Sequence, residues 1–164
     1  MQLSTIITVA SIIAISLVLY MIVSMRSKNK VKKKLQVLNE YASKHNCTIT
    51  KNEIYSNISI GMDEKTNFLF FIKSNNEIEV LKHVNLSEIR NCKVVNSGRN
   101  VQFNKTSTTV IEKLNLCFYP VNKNKEQIQL EFYNVELDGS ILNGELQLAE
   151  KWSDILNNKL SLTL

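Results

Sequence analysis

Four glycines, one proline, two histidines and three cysteines are all that 164 residues contain of these types. So little Gly and Pro excludes a linker protein, and 44% hydrophobic content excludes a disordered chain. No P-loop, GxGxxG or GxSxG pattern occurs, so phosphate cradles and nucleophile elbows are not expected. Cys47, Cys92 and Cys117 form no CxxC spacing, and an odd count is poor material for a disulfide framework. Charge is absent altogether from residues 1–25. It then arrives at once as Arg26, Lys28, Lys30, Lys32, Lys33 and Lys34, six positive charges in nine residues. The net charge is +5, which leaves −1 on residues 35–164. The basicity belongs to one short segment, so no nucleic-acid partner is expected.

The uncharged start is itself a signal. Leu3 to Val23 runs for 21 residues without charge, Gly or Pro. At ~1.5 Å per residue such a helix is ~31 Å long, which matches a hydrocarbon core of ~30 Å. A cleaved signal peptide needs a basic start and an apolar core of about 7–15 residues. Here the basic cluster follows the run, and no cysteine before Cys47 offers a lipoprotein attachment site. Residues 1–25 are therefore expected to be an uncleaved, single-pass transmembrane helix touching the lipid bilayer through residues 3–23. Lys and Arg stay on the cytoplasmic side, so the N-terminus should lie outside an inner or plasma membrane and residues 26–164 inside. Four Asn-x-Ser/Thr sites (Asn46, Asn57, Asn85, Asn104) would then go unused, and 20 asparagines explain them by chance. A Lys to Arg ratio of 17 to 3 and the wealth of Asn and Ile point to an AT-rich, bacterial coding sequence.

Residues 26–46 read as a basic juxtamembrane segment and helical stalk. Val31, Leu35, Leu38, Ala42 and His45 recur at heptad-like spacing. That stripe can pack on the following domain or pair two copies as a homodimer. The six basic residues can contact an anionic membrane surface.

From Cys47 the period changes to two, and residues 47–164 read as a cytoplasmic β domain. Ile54, Ile58, Ile60 and Met62 alternate as one strand, and Asp63–Asn67 forms a turn. Phe68–Ile72 is a run suited to a strand covered on both sides, with a turn at Ser74-Asn75-Asn76. Further strands follow at Ile78–Val84, Cys92–Val95 (ended by a Ser97-Gly98 break), Val110–Phe118 and Ile128–Phe132. Connections this short make neighbours antiparallel. The expected fold class is α+β, mainly β: a six- to seven-stranded antiparallel barrel or sandwich. Leu148, Ala149, Trp152, Ile155 and Leu156 give the C-terminal helix one apolar face, with Asn143 as N-cap and Trp152 as structural anchor.

This order of strands and closing helix resembles the pleckstrin-homology-like (PH-like) barrel superfamily. The stretches Ile60–Glu64, Leu86–Val95 and Glu145–Trp152 resemble those of small, uncharacterised, membrane-anchored bacterial proteins, and the likeness covers residues 54–160. It implies a barrel closed by the helix. Lipid-binding members carry Lys/Arg on the first two strands and their loop. Here that loop is Asp63-Glu64-Lys65-Thr66-Asn67, so phosphoinositide binding is not carried over. A lipocalin-like or immunoglobulin-like sandwich is the alternative.

Chemistry-bearing residues do not converge in sequence. His45 ends the stalk helix and His83 lies in a strand, neither in a metal-ligand spacing. Cys117 has no histidine near it, and Asp63-Glu64 and Asp138-Gly139 occupy turns. Most aromatics fall on core positions, with Phe71, Tyr119 and Tyr133 as candidates for an exposed patch. No catalytic residue, metal site or cofactor is expected. The expectation is a tethered binding or assembly module for a protein partner. The alternatives are sensing of anionic lipid, or an accessory subunit whose Ser4, Thr8 and Ser11 pack within a membrane complex.

Overall fold

The computed structural model describes residues 2–75, 78–103, 106–139 and 141–162. Asn76, the sequon at Asn104 and the side chains of Ser4, Thr8 and Ser11 lie outside the described residues. The chain divides into two compact units, Met1–Val37 and Leu38–Leu164.

The first unit is helical. Helix α1 (Gln2–Ser43) begins in it, and among the described residues it is the one helix long and apolar enough to cross a membrane. Its apolar side chains from Ile12 to Ile22 are exposed, Tyr20 by 72%. Arg26, Lys28, Lys30, Lys32 and Lys33 are exposed and Lys34 is half-buried. Burial, then the neighbouring Lys30 charge, lowers the Lys34 pKa.

The second unit takes in the last turns of α1, where Leu38 and Ala42 have no exposed surface. Those two positions of the heptad-like stripe are spent on packing within this unit. The helix stops because Asn46 takes φ 56°, a left-handed conformation that Asn tolerates. The Cys47 N–H then reaches the Ala42 carbonyl at 3.1 Å and the Asn46 N–H reaches Ser43 at 3.0 Å, the paired bonds of a Schellman motif. His45 thus sits in the turn after the helix rather than ending it.

Seven strands follow. β1 (Lys51–Tyr55), β2 (Ile58–Asp63), β3 (Phe68–Asn75) and β4 (Ile78–Asn85) form one antiparallel sheet in sequence order. After a short 3-10 turn at Leu86–Glu88, β5 (Ile89–Phe103), β6 (Thr106–Pro120) and β7 (Ile128–Asn134) form a second. A short helix, α2 (Val135–Asp138), precedes the long α3 (Glu145–Ser161). The fold is α+β with two antiparallel sheets of four and three strands, and no strand pair joins them among the described residues.

Three boundaries depart from the alternation in the sequence. The run Ile54–Met62 is not one strand but a hairpin, in which Tyr55 pairs with Ile58 and Ser56 takes φ 48°. No glycine marks that turn, and the period survives across its two residues. Ser97-Gly98 is not a break but a bulge inside a 15-residue strand. A Cβ on Gly98 would lie 2.1 Å from the Val110 carbonyl oxygen, so only glycine allows this approach. Third, Gly144 rather than Asn143 caps α3. The Glu145 carboxylate folds back to accept the Asn143 N–H at 2.6 Å, just ahead of the cap, and Gly144 itself supplies no capping side chain.

The core lies between the sheets and α3. It joins Ile58, Ile60 and Met62 of β2, Leu69 and Phe71 of β3, the inward face of β6 and β7, and Leu148, Trp152 and Leu156 of α3. Phe71 and Phe132 meet across the sheets at 5.3 Å between ring centroids. Phe71 and Tyr133 are each 1% exposed, so neither lines a surface patch, and Tyr119 is half-buried. Covering of both faces of β3 puts Phe71 inside, and the register shift opposite Leu114/Asn115 leaves both Phe132 and Tyr133 of β7 buried.

Candidate functional site

The clearest opening for a partner is the β5 edge of the second sheet. β5 and β7 are its two outer strands, and α3 runs beside β5. Asn157 of α3 acts as a one-residue strand: its Oδ1 accepts the Cys92 N–H at 3.0 Å and its Nδ2 donates to the Cys92 carbonyl at 2.9 Å. In an antiparallel ladder the N–H and C=O groups of alternate residues point to the same side. Those of Val94 and Asn96, in register with Leu116 and Leu114, therefore face outward as Cys92 does. Beside them lies a groove of ≈ 740 Å³ lined by Asn91, Lys93, Val94, Glu150, Asp154 and Asn157. Asn91 Oδ1 is buried at its rim without a hydrogen-bond partner among the described residues. The groove thus offers backbone donors and acceptors, an orphan acceptor and charges of both signs.

Cys92 at this site is buried and held as a thiol. Burial pushes its thiol up to about 11, and its Sγ points at the Ser153 carbonyl at 3.7 Å. Cys117 is raised in the same way, and all three cysteines are free and buried.

Beyond the last β6–β7 pair, Lys113 with Asn134, β5 and β6 continue alone as a two-stranded ribbon to Phe103 and Thr106. Among the described residues no strand pairs with β6 on that side of the ribbon, a feature that invites pairing.

Three polar centres were not legible as such. Lys73, 3% exposed, bonds Asp138 at 2.7 Å and Glu131 at 3.0 Å. Asp138 also accepts from Asn57 Nδ2 and the Asn134 N–H, each at 2.8 Å, so it is the hub of a buried network and more than a turn residue. Its partners are scattered from residue 57 to 138, which hides them from any local motif. Asp63 accepts the N–H groups of Thr48, Lys65 and Thr66, and these bonds hold its carboxyl down at about 2. That carboxylate pins a turn. His45 and His83, 38 residues apart in sequence, come together with ring centroids 4.2 Å apart. No group of three or more metal-ligating side chains occurs among the described residues.

Trp152 is in the core, 1% exposed, with its indole N–H donated to Glu53 Oε2 at 3.2 Å. The six basic residues from Arg26 to Lys34 lie along α1, in the other compact unit. No known protein family, curated protein or solved structure matches this chain.

Proposed function

We propose that this protein is a membrane-anchored binding module with no catalytic activity, whose cytoplasmic domain recognises a protein partner. The observation that carries this reading is the β5 edge beside α3, where outward backbone groups border a polar groove. Such an edge binds an extended segment of another chain by adding it as a strand, with side chains entering the groove. A four-strand sheet, a three-strand sheet and a C-terminal helix in this order also support the resemblance to the PH-like superfamily. The exposed apolar face of α1 and the basic residues after it support a single span with the domain on the cytoplasmic side. Five exposed basic residues favour a second reading, contact with anionic lipid, which adds to rather than replaces the partner.

A photoreactive residue at Lys93 in native membranes is expected to give a discrete protein adduct. Val94→Pro removes the outward N–H without touching the β6 ladder, and proline is tolerated on sheet edges. That change should abolish the adduct while leaving the melting curve in place. Lipid adducts alone, or protein adducts that survive Val94→Pro, would sink the strand-addition reading.

Topology has its own test. The native cysteines are buried and uninformative, so Lys123→Cys in the exposed β6–β7 loop is the better reporter. A membrane-impermeant maleimide should label it only after cells are opened. Labelling of intact cells would reverse the orientation.

A further inference from the structure

His45 lies in the turn that ends α1, and His83 lies in β4 opposite Phe70 of β3. Their rings are 4.2 Å apart and inclined by 44°. Tyr41, from the last turns of α1, places its hydroxyl 3.0 Å from His83 Nδ1 and its ring edge-on to His45 and Phe70, at 5.3 Å and 5.5 Å. Phe68 closes the other side at 6.2 Å from His83. Two neutral imidazoles, or one neutral and one charged, share this space without conflict. Two imidazolium ions at the same separation repel, although both side chains are exposed and solvent screens part of that repulsion.

We propose that Tyr41, His45 and His83 form a proton-sensitive latch holding the last turn of α1 to the β3–β4 hairpin, closed while at least one imidazole is neutral and loosened by the second proton. The titratable groups meeting His83 are Tyr41 from α1 and His45 from the turn after it. β3 contributes Phe68 and Phe70, which carry no charge to compensate. Burial, then the His45 charge, lowers the His83 pKa from its ordinary 6.5. The folded chain therefore binds fewer protons than the unfolded one between the two values. The latch's contribution is complete above pH 6.5 and is lost as the pH falls through the lowered, folded value.

The N–H groups of Lys44, His45, Asn46 and Cys47 are all hydrogen-bonded at this turn, so their hydrogen exchange reports its opening. In the full chain in detergent micelles, their protection should fall about tenfold between about pH 7.5 and about pH 5, after correction for intrinsic exchange. His83→Asn keeps a neutral side chain at both pH values and should remove that dependence. His45→Gln should do the same from the opposite side. An unchanged pH dependence in both variants, or none in the parent chain, would overturn the latch.

Discussion

Trp152→Ala is expected to remove a large share of the stability of the β domain. The side chain is 1% exposed among residues of both sheets, and truncating a buried aromatic costs ~3–5 kcal/mol through lost contact and the cavity left behind. A domain of this size has about 5–15 kcal/mol in total. The indole N–H is also one of two links by which α3 holds Glu53 of β1, across 99 residues of sequence, the other being the Lys151 ammonium. Trp152→Phe keeps most of the ring volume and should restore all but roughly 1 kcal/mol, the worth of the lost hydrogen bond. Thermal melts by far-ultraviolet circular dichroism of the full chain in detergent measure both. A Trp152→Ala chain that melts with the parent would show that α3 is not docked on the sheets.

Lys73→Met has the second largest expected effect. The ammonium is buried between Asp138 and Glu131, whose side chains are 11% and 34% exposed. Removing it leaves Asp138 as an uncompensated charge in a dry site, at a cost of about 3–5 kcal/mol. The deficit should belong to Asp138 and not to Glu131, because Glu131 can turn to water. Glu131→Gln is therefore expected to cost no more than ~1 kcal/mol. Lys73→Met combined with Asp138→Asn removes both charges and should recover part of the loss, since only one of the two donors, Asn57 Nδ2 on Oδ1 or the Asn134 N–H on Oδ2, keeps its acceptor. Urea melts of the four chains decide the matter. A double variant no more stable than Lys73→Met would assign the loss to packing.

What could be read beforehand divides by range along the chain. The strands from Phe68 to Ile72 and from Val110 to Phe118, and the helix around Trp152, announce themselves because alternation and helical periodicity are local consequences of one buried face. The turn at Ser56 and the bulge at Gly98 stayed hidden because neither interrupts the apolar pattern by much: one hairpin turn has no glycine, and one glycine sits within a continuing strand. The site was hidden for a different reason. Asn157 meets Cys92 across 65 residues and His83 meets Tyr41 across 42, and Lys73 meets Asp138 across 65. No spacing rule encodes such pairs. Asn, moreover, is so abundant in this chain that the single Asn157 acting as a strand does not stand out.

All the hydrogen-bonded strand pairs join neighbours in sequence, which makes each hairpin an early, local event in folding. The core is another matter. Ile58, Ile60, Leu69 and Phe71 share one core with β6 and β7, and that core is completed only when Leu148, Trp152 and Leu156 arrive from α3. During synthesis the two meanders can therefore form in turn while their shared core still lacks the side chains of α3. Such a chain is exposed to misassociation for the whole interval between completing β7 and releasing α3. The final seventeen-residue helix sets when the domain stops being a hazard to itself.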